Sequence, residues 1–200
     1  MIPRRTSLAS VSAMALLALS AGPAFAHVGA GGLAGGFAIG FLHPITGLDH
    51  VVAMVGVGLW GAFLGRPAIW LLPVVFPLVM AFGGALGVLG VSVPFVEVGI
   101  ALSAIMIGLA VTFAVRPPIA VAAVLIGIFA ICHGHAHGVE LPDATNPIAF
   151  SMGFVTATGL LHIAGITFGL LAQWPWGKIA VRTGGAAIAV TGMAFLTGYA

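Results

Sequence analysis

Seven apolar runs follow one another along the chain, at 28–42, 48–65, 68–90, 98–115, 119–131, 147–172 and 179–199, and most charged side chains fall in the short gaps between them. About 20 apolar residues are what an α-helix needs to cross the hydrocarbon core of a bilayer. Only 5% of the 200 residues are charged, against about 25% in soluble proteins. The expected fold is an all-α integral membrane protein with the lipid bilayer as its first partner. The 30 glycines fit that reading, because small residues let membrane helices approach closely where lipid supplies no hydrophobic drive.

Residues 1–26 read as a signal peptide: Arg4 and Arg5 precede an apolar stretch from about Leu8 to Leu19, and Ala24-Phe25-Ala26 has the A-x-A form of a cleavage site. Residues 27–200 then form a single polytopic transmembrane domain starting at His27. Without Arg4 and Arg5, the basic residues Arg66, Arg116, Lys178 and Arg182 balance the acids Asp49, Glu97, Glu140 and Asp143. The mature chain carries no basic excess and no nucleic acid is expected as partner. Cys132 is the single cysteine, so neither an intrachain disulfide nor a cysteine-based zinc motif is available.

Arg66, Arg116 and the Lys178 to Arg182 region mark cytoplasmic junctions by the positive-inside rule. A mature N-terminus outside and Arg66 inside require an odd number of crossings, yet two apolar runs lie between them. The first, Val28 to Leu42, is short and glycine-rich, so the first span is expected to be broken, or preceded by a re-entrant segment, with Pro44 at the break. Six transmembrane helices result, with both mature termini periplasmic; seven is the alternative count. This orientation brings the polar clusters of the chain to the outer half of the membrane.

The first cluster is HPITGLDH. His43 and His50 are seven apart, two turns along one helical face, and the proline allows them closer. Asp49 is placed to ligate a cation or to orient an imidazole. The second is CHGHAHGVE. As a helix it sets His133, His137 and Glu140 on one stripe with His135 on the other side; as an extended segment its three histidines share a face. Either way it offers at least two imidazoles and a carboxylate, donors suited to Ni, Co, Zn or Fe. Ionisable groups at membrane depth are functional by default, which outweighs the readings of a helix cap for the first cluster and a pH-sensing loop for the second. Glu97, opening an apolar span, is assigned to the ion route on the same ground. His162, deep in its span, and His27, whose amine and imidazole would chelate together after cleavage, are weaker candidates. Asp143, between Pro142 and Asn146, reads as turn chemistry. Met54, Met80 and Met106 form no cluster, and Trp174 with Trp176 beside Lys178 reads as an interface belt. No H-E-x-x-H, G-x-S-x-G or Walker A sequence is present, so neither hydrolysis nor ATP drive is encoded locally. The chain is not expected to be an enzyme.

With these motifs in view, the chain resembles the HupE/UreJ family of nickel and cobalt permeases. The likeness runs through the leader ending at Ala26-His27, HPITGLDHVVAMVGVGLWGA and HGHAHGVE, and covers essentially the whole mature chain. The family's second motif usually opens with Phe, where this chain has Cys132; the ligands remain intact. The resemblance implies functional roles for His43, Asp49, His50, His133, His137 and Glu140, and for Glu97 and Phe76 at further polar and aromatic positions. It also implies Ni2+, or Co2+, as a transported ion for hydrogenase or urease maturation, with no prosthetic group. The expected function is thus a secondary permease of the inner membrane, and a homo-oligomer is compatible with it. The alternatives are a membrane-embedded metal-binding accessory protein and a metalloenzyme without transport.

Overall fold

The structure is a computed structural model that describes residues 32–141 and 146–198. The expected leader, His27 and Asp143 lie outside the described residues. Within them the chain is helical: α1 Leu33–Thr46, α2 Leu48–Leu64, α3 Ala68–Val88, α4 Val96–Thr112, α5 Ile119–Val139, α6 Pro147–Gly169, a 3-10 turn Leu170–Gln173, and α7 Pro175–Thr197. Prolines mark several starts. Pro147 and Pro175 open α6 and α7, where the missing N–H costs nothing. The Asn146 side chain accepts from the Ala149 N–H at 3.0 Å, capping α6.

Four elements are long and apolar enough to cross a bilayer: α3, α5, α6 with its 3-10 turn, and α7. The 17 residues of α4 reach about 25 Å at 1.5 Å each, the short end of the crossing range. α1 and α2 meet at 78° and together pass the same test. Gly36 and Phe37 of α1 lie against Ala149 and Gly153 early in α6, and Val55, Leu59 and Ala62 of α2 lie against Gly165 and Gly169 later in it. The pair thus runs alongside one full helix, as the broken first span expected from the sequence.

Two boundaries differ from the sequence reading. The break falls at Gly47, not Pro44: α1 continues through His43, Pro44 and Ile45 to Thr46. Gly47 is extended, with φ −85 and ψ 115, and its N–H bonds the His43 carbonyl at 3.2 Å. Proline inside a helix removes one i→i−4 bond and disfavours helix in the residue before it, but close packing of Gly40 on the Phe150 backbone holds this segment helical regardless. The second difference is in α5, where CHGHAHGV does not follow the crossing but forms its last turns. The helical alternative for that motif is the one adopted.

Packing fixes the direction of each helix. Gly83 and Gly87 meet Ile131 and His135, so α3 and α5 run parallel; Gly185 and Gly192 meet Val111 and Ala101, so α4 and α7 run antiparallel. One end of the bundle therefore gathers Arg66, Arg116, Lys178 and Arg182. Arg182 donates to the Thr112 carbonyl at 2.6 Å, satisfying an orphan acceptor at the end of α4. The other end gathers the starts of α2, α4 and α6 with the ends of α3, α5 and α7. Large apolar side chains such as Leu78, Phe82, Ile179 and Val190 point outward, as a lipid solvent allows, and the chain is a multi-pass membrane protein. Met54, Leu59, Leu72, Phe76, Ile107 and Ile126 fill the interior.

Candidate metal centre

The break at Gly47 creates the site. In one straight helix His43 and His50 would be separated by about 10 Å of rise; across the bend their ring centroids are 5.3 Å apart. His137, from the last turn of α5, lies 5.0 Å from His43 and 4.5 Å from His50. One ligand atom from each of the three lies within 4.8 Å of the other two. Two nitrogens on one ion at about 2.1 Å can be no more than about 4.2 Å apart. Donors at the 4.8 Å limit would have to draw together by at least about 0.6 Å to share one first-row divalent ion.

Both ring nitrogens of His50 and of His137 are buried without a well-formed hydrogen bond among the described residues. Asp49 Oδ1 approaches His50 Nδ1 to 2.6 Å; the contact between adjacent residues is short but poorly aligned, so it acts chiefly through charge. An unpaired buried polar atom costs about 1–3 kcal/mol. A donor set of several such imidazoles fits a cation that supplies the missing partner. Phe154 packs 4.6 Å from the His137 ring and, with Phe150, borders His43. These aromatic walls keep water from competing and strengthen electrostatics inside. A cavity of about 250 Å³ between α3, α5 and α6 reaches His137, Phe150 and Phe154.

His133 is fully buried and stands 6.1 Å from the His50 ring, outside the three-residue cluster. Phe76, also fully buried, touches His133 on one side at 5.6 Å and His162 on the other at 5.7 Å. His162 is 2% exposed, and its Nε2 finds no partner among the described residues. His135 faces away: its Nε2 bonds the Val91 carbonyl at 2.8 Å and ties α5 to the α3–α4 connection. Glu97, in the first turn of α4, and Glu140, capping the end of α5, are exposed at the same end of the bundle and do not join the cluster. Cys132 packs its sulfur on Gly99 of α4, where any Cβ would crowd it at 2.5 Å.

Four polar or aromatic residues escaped the sequence reading. Ser103 bonds His133, Thr158 is fully buried with its hydroxyl unpaired among the described residues, and Phe150 with Phe154 walls the cluster. Ser103 and Thr158 stand out only as hydroxyls inside apolar runs, a signal shared by every Thr that bonds its own helix, such as Thr167 and Thr191.

The HupE / UreJ protein family model matches residues 14–195. The chain belongs to the HupE / UreJ family. Protein HupE of Rhizobium leguminosarum bv. viciae is 45% identical over 182 residues, covering 91% of this chain and 95% of that protein. No solved structure matches.

Proposed function

We propose that this HupE / UreJ chain is a secondary permease that carries Ni2+, with Co2+ as the alternative cargo, across the inner membrane from the periplasm toward hydrogenase or urease maturation. The observation that carries the reading is the convergence of His43, His50 and His137 from three helices, with donor atoms within 4.8 Å, at the end of the bundle away from the basic residues. Imidazole donors suit nickel, cobalt and zinc; the choice of nickel rests on family membership.

A dication entering hydrocarbon unpaired would pay tens of kcal/mol by Born estimates. Asp49 beside His50 offsets charge at the cluster, while exposed Glu97 and Glu140 attract the ion to its mouth. The cavity bordering His137 has room for about eight waters at about 30 Å³ each, so the ion can approach still hydrated and shed its shell stepwise onto imidazoles. Sites with few ligands each also keep binding weak enough for release. Beyond the cluster, His133, Phe76 and His162 form the next buried groups inward.

The test is radioactive nickel uptake by metal-starved cells expressing the chain, against His50→Ala and His137→Ala at matched membrane levels, with cobalt as competitor. Uptake in the wild type, lost at least ten-fold in both variants, supports one route through the cluster. Wild-type uptake no higher than in empty cells, with nickel still bound by the purified protein, overturns the permease and favours an accessory role.

A further inference from the structure

We infer that Ser103 is a positioning residue that locks His133 into one tautomer, hydrogen on Nε2 and lone pair on Nδ1, so that Nδ1 receives the cation as it leaves the outer cluster. The role for the ion rests on the proposed function; the tautomer does not.

The Ser103 hydroxyl has a single hydrogen to give. Its Oγ lies 2.6 Å from the Ile100 carbonyl oxygen, an atom that only accepts. The hydroxyl hydrogen is therefore committed there. The same Oγ lies 3.1 Å from His133 Nε2 and has only lone pairs left to offer, so the ring nitrogen must supply the hydrogen of that bond. His133 has no exposed surface, and the one histidine–carboxylate pair within 4 Å among the described residues is His50 with Asp49. An unpaired buried imidazolium is too costly; the ring is neutral and carries one hydrogen. Its Nδ1 is then a bare lone pair, and that atom is buried without a partner among the described residues.

Distance then says which ion this lone pair serves. Two imidazoles on one ion, with bonds of about 2.1 Å and ring radii of about 1.1 Å, can have centroids up to about 6.4 Å apart. His50 and His133 are 6.1 Å apart, at the edge of that reach. His133 is therefore not part of the resting cluster but the acceptor one step inward, sharing the ion with His50 once His43 lets go. Without Ser103 both ring nitrogens would compete for the hydrogen, and half the rings or so would present N–H to the cation, which repels it.

The experiment uses the full mature chain in lipid nanodiscs, metal-free, with 15N-labelled histidine. Nitrogen NMR reads the His133 tautomer, assigned by the signals missing in His133→Gln. The wild type is expected to show the Nε2–H form alone. Ser103→Ala should give a mixture, and Ser103→Thr, which keeps the hydroxyl, should restore the single form. In metal-starved cells at matched membrane levels, radioactive nickel uptake should fall roughly ten- to a hundred-fold in Ser103→Ala, as activity does when other groups that orient a metal-binding histidine are removed, and recover in Ser103→Thr. A wild-type ring that is Nδ1–H or mixed overturns the inference without any variant. So does Ser103→Ala with the wild-type tautomer, or with an altered tautomer and unchanged uptake. If the wild-type chain takes up no nickel at all, the permease reading and the ion role fall together, while the NMR result still decides what Ser103 does to the ring.

Discussion

At the scale of single residues, the site depends on a glycine that carries no ligand. Gly47 has φ −85 and ψ 115, a conformation any residue adopts, so its importance is spatial. A Cβ there would lie 2.6 Å from His50 Nδ1 and 2.9 Å from Asp49 Oδ1. Gly47→Ala is expected to leave helix content unchanged and to weaken Co2+ binding about ten-fold or more, because it displaces one ligand and the carboxylate that orients it; circular dichroism and Co2+ titration of the purified protein check both halves. Unchanged affinity would mean that the His50 ring has room to retreat. The three histidines of the cluster were legible in the sequence as candidates because ionisable residues are rare in so apolar a chain. Their meeting was not: it depends on a bend at Gly47 that the more conspicuous Pro44 obscures.

At the scale of helices, HGHAHG alternates histidines with small residues for a reason visible only in the packing. A Cβ on Gly134 would collide with the Met80 carbonyl oxygen, and one on Gly138 with that of Gly84. The two glycines seat α5 directly on the backbone of α3, which aims His133 and His137 into the bundle. Gly134→Ala should cost about 1–3 kcal/mol as overpacking, seen as a lower melting temperature in detergent, and should reduce Co2+ binding by moving His137. Gly127, on the same helix with nothing within 4 Å of an added Cβ, supplies the contrast: Gly127→Ala should be neutral or slightly stabilising. Equal effects of the two substitutions would show that helix propensity, not contact, governs α5. The sequence separated the hydrophobic run ending at Ile131 from the histidines after it, because hydropathy drops there; the backbone does not notice, since glycine and histidine are tolerated in a helix whose neighbours hold it.

At the scale of the whole molecule, the buried imidazoles form a descending series. Phe154 packs on His137, and His162, eight residues further along α6, sits about 12 Å deeper toward the basic end. His133 and Phe76 lie between them in contact. The direction of any flow along this series depends on which end faces outward. Arg66, Arg116, Lys178 and Arg182 share one end; in the proposed orientation, which follows the positive-inside rule, that end is cytoplasmic and the three-histidine cluster opens to the periplasm. Leu89, at the cluster end, is 76% exposed, and Val115, at the basic end, 49%, so each accepts a reporter without disturbing the core. In a Cys132→Ser background, Leu89→Cys in intact spheroplasts should react with an impermeant maleimide, while Val115→Cys should react only after the membrane is opened. The reverse pattern would place the cluster on the cytoplasmic side, and the same imidazole ladder would then describe export.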